Sequence, residues 1–230
     1  MSLYLNSDND YVTRTGAANL GNTDEFTFAV WYGRNETATG TEVVASGIPG
    51  IGFGLLLPTT TQIRGYVSGA SNGDAAFANL SWGGLAIRRS YSASSWTTSL
   101  FQSGILTNVY SFSSGDTGNC SFVALGQTGG YYTTARGYYR YARFWTVRKS
   151  DAELEGEFNM TPSAGTPAAS LTGLYFSWPL ANGTDTTDWS GNSRAPTISG
   201  AGTSSEEPPL GGSSVFIPTQ YRRINSLLRM

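Results

Sequence analysis

The sequence predicts an all-β protein: a two-sheet antiparallel jelly-roll sandwich of the concanavalin A type, with one short helix and a C-terminal extension. Short runs of alternating apolar and polar residues are separated by clusters of Gly, Asn, Asp and Ser, and one segment alone has helical spacing. Six Trp, thirteen Tyr and eleven Phe can fill a large core. A 230-residue chain therefore needs no disulfides to fold.

The strands are predicted wherever this alternation is clear. In segment 26–32, Phe26, Phe28 and Val30 share one face, and the residues between them share the other. The first strand, 2–5, and the last, 174–180, carry similar apolar sequences and are expected to be neighbours in one sheet. The remaining predicted strands are 11–12, 42–45, 52–57, 62–67, 82–89, 96–102, 120–125 and 138–147.

The helix is predicted from a capping box. Ser150 stands at the N-cap and Glu153 follows three residues later, an arrangement in which each side chain bonds the backbone N–H of the other's position. Leu154 and Phe158 would then share one face of the helix.

The domain organisation follows from composition. Residues 1–200 form the predicted sandwich, and residues 201–214, rich in Gly, Ser, Pro and Glu, form a flexible linker. Apolar groups return in residues 215–230, which we predict to be a docking tail; docking on another copy or on a larger assembly is favoured over docking on its own sandwich. The residues assigned to this docking are Phe216, Ile217, Tyr221, Ile224, Leu227 and Leu228.

Composition also argues against several classes of function. A net charge of −2 gives no reason to expect nucleic acid as a partner. No apolar run is long enough to span a bilayer, and no signal peptide is recognisable. The chain has no His and a single Cys, Cys120, which removes the usual zinc ligands and any internal disulfide.

Three stretches in the correct order resemble the concanavalin A-like lectin/glucanase superfamily and its laminin-G-like domains. The opening runs from Leu3-Tyr4-Leu5 through Asp10-Tyr11-Val12 to the strand Phe26–Trp31. The second stretch is the strand from Gly137 to Trp145 followed by the capping box. The third is the closing Trp178-Pro179-Leu180 with Asp188-Trp189-Ser190-Gly191-Asn192.

The resemblance covers residues 2–200 and implies the fold far more than the function, because this superfamily includes lectins, hydrolases, adhesion modules and virion proteins. The chain departs from the family pattern at one place. Where the family often carries an Asp-Glu pair after the glycine of this strand, the chain has Arg140 and Tyr141. A site that depends on those carboxylates is therefore not expected.

An acidic run, Asp151, Glu153, Glu155 and Glu157, is the candidate for catalysis. Retaining glycosidases need two carboxyl groups about 5–5.5 Å apart, which alternate residues on a strand can provide. The capping box favours a helix instead, and a helix would distribute these side chains around its axis. We therefore assign no catalytic residues, and a glycoside hydrolase is kept as an alternative.

Turns containing Asp8, Asp10 and Asp188 are the candidates for a calcium site, since calcium accepts six to eight oxygen ligands. The alternative is that these carboxylates bind the backbone of their own turns. No cofactor or resident metal is assigned on this basis.

Tyr131, Tyr132 and Tyr138, interleaved with Arg136 and Arg140, form the candidate site for a glycan or a protein partner. Aromatic faces stack on sugars and on side chains alike. About half of the rings in this region are expected to belong to the core, because alternate residues of a sandwich strand face inward.

Taken together, these features predict a non-enzymatic virion structural protein: a capsid decoration, minor capsid or tail protein of a bacteriophage. Its expected partners are other virion proteins, further copies of itself and host-surface glycans. A carbohydrate-binding module that works by itself is the alternative, located outside the cell by a route without a signal peptide.

Overall fold

In the residues that it describes, the computed structural model contains two antiparallel sheets and one short helix, which confirms the predicted all-β sandwich. The helix has nine residues, so no helix in the described part of the chain could cross a bilayer. The structure describes residues 1–20, 24–35, 41–48, 53–59, 61–67, 70–76, 82–92, 95–103, 105–112, 120–126, 133–208 and 210.

The elements follow one another along the chain with a single helix, α1 (Asp151–Asn159), between strands β13 and β14. The strands are β1 (Ser2–Leu5), β2 (Tyr11–Leu20), β3 (Phe26–Arg34), β4 (Glu42–Ile48), β5 (Phe53–Thr59), β6 (Gln62–Val67), β7 (Ala70–Ala76), β8 (Trp82–Ser92), β9 (Ser95–Gln102), β10 (Ile105–Phe112), β11 (Cys120–Leu125), β12 (Thr133–Thr134), β13 (Gly137–Trp145), β14 (Leu174–Trp178), β15 (Thr197–Ser199) and β16 (Gly202–Ser204).

Each sheet has eight strands in the described structure. The first has the order β10-β9-β8-β3-β13-β1-β16, and β14 also pairs with β13. The second has the order β15-β2-β11-β4-β5-β6-β7, and β12 pairs with β4 in parallel. All of the predicted strands are present, with bounds that differ by a few residues except at β2, which continues to Leu20 where the prediction ended at residue 12.

Five strands were missed by the sequence prediction: β7, β10, β12, β15 and β16. Four of them, β7, β10, β15 and β16, are the outermost strands of their sheets. An outermost strand has a neighbour on one side only, and β7, β15 and β16 are short or largely polar, so these three give a weak alternating signal; this reason does not apply to β10, whose sequence ILTNVYSF is mostly apolar. β7 (Ala70–Ala76), with the sequence ASNGDAA, illustrates this.

The terminal segments lie in one sheet, as expected, and the Leu3 N–H donates to the Leu180 carbonyl at 2.9 Å. β1 and β14 do not pair along their length, because each pairs with a different part of β13. The Cα partners of β1 are Gly137–Tyr139, and those of β14 begin at Ala142. The other neighbour of β1 is β16, so the sheet extends into residues that the sequence assigned to the linker.

The apolar core lies between the two sheets and contains the face of β3 predicted to point inward, Phe26, Phe28 and Val30. The opposite face of β3 is buried as well, because α1 packs on the outside of the first sheet. There Phe158 meets Trp31 edge to face, with ring centroids 5.5 Å apart. Gly84 makes room for it, since a Cβ at this position would lie 2.3 Å from Phe158 Cδ1.

A buried ion pair attaches the helix to the sheet. The Arg143 guanidinium, on β13, forms a salt bridge with the Glu157 carboxylate, on α1, and neither side chain is more than 2% exposed. Glu157 also accepts a hydrogen bond from the backbone N–H of Ala169 at 2.8 Å. The helix therefore covers one end of the outer face of the first sheet.

Candidate functional site

Beyond the helix, the outer face of the first sheet carries a row of aromatic side chains, which we call the aromatic row. Trp82 lies opposite Gly33, Gly33 opposite Tyr138, Tyr138 opposite Tyr4, and Tyr4 opposite Gly202. These five residues occupy one register line across β8, β3, β13, β1 and β16. The row therefore consists of three rings with a glycine between two of them and another at its end.

Gly33 allows the indole of Trp82 to lie on the sheet. A Cβ at Gly33 would lie 2.8 Å from Cδ2 and 3.0 Å from Cε2 of Trp82. These two carbons are shared by the two rings of the indole. An atom that is nearest to both of them lies over the face of the indole and not at its edge. One face of the indole thus covers Gly33, and the opposite face is directed away from the sheet.

The two tyrosines continue the surface. The ring centroids of Trp82 and Tyr138 are 6.0 Å apart, those of Tyr138 and Tyr4 are 5.2 Å apart, and each pair is inclined by 30°. Asn35 links the phenols: Tyr138 Oη donates to Asn35 Oδ1 at 3.0 Å, and Asn35 Nδ2 donates to Tyr4 Oη. All four side chains are partly exposed, so the row combines apolar faces with fixed polar groups at its surface.

Two arginines predicted from the sequence flank Tyr138 along the chain, and each faces a carboxylate. Arg136 Nη2 is 3.6 Å from Asp8 Oδ1. Arg140 Nε is 3.4 Å from Glu207 Oε2.

Arg140 is 8% exposed, and burial lowers its pKa from the ordinary value. Its Nη1 donates to the carbonyl of Pro179 at 3.0 Å, and its Nη2 donates to Tyr141 Oη at 2.9 Å. Arg140 is thus held in place by protein groups, and it remains charged because a guanidinium is not deprotonated in proteins.

Of the predicted site residues, Tyr138 lies in the aromatic row, and Arg136 and Arg140 precede and follow it by two positions along the chain. Sequence reasoning missed Tyr4, Trp82 and their glycine neighbours. Alternation places Tyr4 on the face of β1 that points away from the core residues Leu3 and Leu5. No residue near Tyr4 in the sequence predicts that its ring contacts Tyr138. Tyr131 and Tyr132, together with the six residues of the predicted docking tail, lie outside the described residues.

The calcium candidates have other partners. Asp10 accepts hydrogen bonds from the backbone N–H groups of Asn6 and Ser7 at 2.9 and 3.0 Å. Asp188 accepts from the backbone N–H groups of Ser177, Ser190 and Arg194. Within the described part of the chain, no group of three or more His, Cys, Asp or Glu is placed to hold a metal ion. This geometry favours the turn-capping alternative.

The acidic run lies on α1, as the capping box predicts, so its side chains do not alternate along a strand. The backbone N–H of Ser150 donates to Glu153 and lowers the pKa of this carboxyl to about 2. Asp151 accepts from Arg88 Nη1 at 2.7 Å, and Glu157 is paired with Arg143. Each of these three acids therefore has a structural partner.

No family model matches the sequence, and a comparison with curated proteins finds no match. Solved structures do match. A Bacteroides ovatus protein for which carbohydrate binding has been suggested aligns with a TM-score of 0.68 at 14% identity, over 92% of this chain and 62% of its own. The binding domain of botulinum neurotoxin serotype G aligns with a TM-score of 0.54 at 12% identity, over 72% of this chain and 45% of its own.

A sialidase of Trypanosoma rangeli aligns less well, with a TM-score of 0.47 at 17% identity, over 60% of this chain and 22% of its own, and it supports no argument. The chain spans 62% of the length of the Bacteroides ovatus protein and less of the others. At these identities the matches establish the fold alone: this is a two-sheet β-sandwich.

Proposed function

We propose that this protein is a carbohydrate-binding β-sandwich module that holds glycans on the aromatic row. The observation that carries the proposal is the register line that places Trp82, Tyr138 and Tyr4 side by side on a partly exposed sheet face. Aromatic faces bury the apolar faces of sugar rings, while polar groups at the rim bind sugar hydroxyls. The carbohydrate binding suggested for the Bacteroides ovatus protein supports the proposal.

The polar contact available to a sugar is the linked group of Asn35, Tyr4 and Tyr138. Tyr138 Oη donates its proton to Asn35 Oδ1, which orients its oxygen lone pairs away from the amide. A phenol oxygen in this state can accept a hydrogen bond from a sugar hydroxyl. The Asn35 bridge also limits rotation of the side chains, so less conformational entropy is lost on binding.

Replacing Tyr138 with Ala removes the central ring and tests the proposal. We expect the affinity for a bound polysaccharide to fall about tenfold or more, because a stacked ring contributes about 1 kcal/mol beyond the area that it buries. Affinity electrophoresis against soluble polysaccharides measures the change. Tyr138→Phe is the matched variant, which keeps the ring and removes the hydroxyl, and it should lose much less.

Tyr91→Ala is the control, since Tyr91 is a 37% exposed tyrosine at the other end of β8. Urea unfolding of each variant establishes that the fold is retained. The proposal is wrong if folded Tyr138→Ala protein binds polysaccharide as tightly as the unchanged chain, or if no polysaccharide binds to either.

The virion role and location predicted from the sequence stay a prediction. They rest on the apolar tail 215–230, and residues 211–230 lie outside the described residues. Truncation after Gly211 tests the prediction, since a docking tail should be required for self-association or for incorporation into a particle. Unchanged oligomeric state and unchanged incorporation would exclude that role for the tail.

A further inference from the structure

The aromatic row contains no acidic or basic side chain. Its register positions hold Trp82, Gly33, Tyr138, Tyr4 and Gly202, none of which is Asp, Glu, Lys, Arg or His. The bridging side chain Asn35 is neutral as well. A ligand on the row therefore meets rings, amide and hydroxyl groups.

The positive groups beside Tyr138 are matched in number by carboxylates. Arg136 faces Asp8, Arg140 and the Met1 amino group share Glu207, and the Asp185 carboxylate also acts on Arg140. A carboxylated or sulfated sugar would have to displace one of these protein carboxylates from its cation or lie beside it. A sugar that lies beside a carboxylate is repelled by its like charge, which weakens binding. A neutral sugar faces no such cost.

The geometry of the rings also sets the direction of the ligand. The three rings stand on strands of one sheet and follow each other at 6.0 and 5.2 Å, along a line perpendicular to the strands. A single sugar covers a part of this line. A linear chain of sugars can contact each ring in turn, and each added contact buries further apolar surface.

We infer that the aromatic row binds neutral oligosaccharides, extended across the strands so that they contact all three rings. This inference rests on the proposed carbohydrate-binding function. It goes further by fixing the charge class of the glycan, the direction in which it lies and the dependence of affinity on its length.

Calorimetric titration tests the inference with neutral gluco-, xylo- and manno-oligosaccharides of increasing length, and with sialyllactose and oligogalacturonate as acidic probes. We expect the affinity for the neutral series to rise about two- to tenfold for each added sugar until the three rings are covered, and then to level off. Raising NaCl from about 0.05 to about 0.5 M should leave neutral binding unchanged, because screening acts on charges.

Two variants distinguish the outcomes. Tyr138→Ala should weaken neutral binding, which ties the signal to the row. Asp8→Asn removes the carboxylate that faces Arg136, and it should raise the affinity for oligogalacturonate several-fold while neutral binding stays the same.

If binding depends on Tyr138 but is restricted to acidic glycans, or is as tight for a monosaccharide as for a trisaccharide, the inference fails and the carbohydrate-binding function stands. If no probe binds, or if binding does not depend on Tyr138, both fail. Salt-sensitive binding of the neutral series would also contradict the inference.

Discussion

The ion pair between Arg143 and Glu157 offers the sharpest test of how the helix is held on the sheet. Glu157→Gln keeps the size of the side chain and an oxygen that can accept from the backbone N–H of Ala169. It removes the negative charge and leaves the Arg143 guanidinium with 0% of its side chain exposed. Burial already lowers the pKa of Arg143, and the charge of Glu157 opposes that effect.

The loss of folding stability expected in Glu157→Gln follows from the burial of both Arg143 and Glu157. Removing one member of a buried pair leaves an uncompensated charge and typically destabilises a protein by about 3–5 kcal/mol. This is a large part of the roughly 5–15 kcal/mol by which domains are stable. An exposed pair would contribute about 1 kcal/mol or less, so the burial of Arg143 and Glu157 decides the expectation.

Urea unfolding measures the effect. With a slope of about 2–3 kcal/mol per M, the midpoint of Glu157→Gln should fall by about 1–2 M with an unchanged slope. The double variant Arg143→Met with Glu157→Leu removes both charges and should recover most of the stability, since apolar replacements of buried pairs are often neutral. A loss below about 1 kcal/mol in the single variant, or a double variant no more stable than it, would refute the reasoning.

Three further predictions concern the row, the helix and the calcium candidates. Gly33→Ala places a Cβ 2.8 Å from Trp82 Cδ2, so we expect the free energy of unfolding to fall by about 1–3 kcal/mol. The near-ultraviolet tryptophan spectrum should change and glycan binding should weaken. An unchanged spectrum would contradict the described contact. Ser150→Ala should cost about 1 kcal/mol by removing the N-cap. The lowered pKa of Glu153 stabilises the fold above pH 4.5, its ordinary value, and this contribution is lost as the pH falls towards about 2. Urea midpoints measure both effects: at fixed pH Ser150→Ala should unfold at lower urea, and across that pH range Glu153→Gln, which has no carboxyl to titrate, should depend less on pH than the unchanged chain; an equal dependence would exclude Glu153 as the cause. Calcium at about 1 mM should leave the Tm unchanged, because Asp10 is already bonded by backbone N–H groups, and a Tm that rises with calcium concentration would contradict this.

The elements of this fold were largely predictable because their causes are local. Alternation identified β3 (Phe26–Arg34) and assigned its two faces correctly. The capping box located α1 (Asp151–Asn159) and thereby removed the acidic run from consideration as a strand. Both signals depend on side chains within a few positions of one another.

The site was predictable only in part. Sequence reasoning proposed Tyr138, Arg136 and Arg140 because they cluster in one segment. It missed Tyr4 and Trp82, which lie more than 50 positions from Tyr138 along the chain.

By itself, the sequence identified eleven of the sixteen described strands, the two faces of β3 and the start of the helix. The tertiary structure decided which strands are neighbours and in which register, and therefore that Trp82, Tyr138 and Tyr4 form one row. The physical reason is that alternation selects a face within a strand, whereas strand order and register depend on packing between distant segments. Chemistry built across several strands therefore appears only when the sheet is assembled.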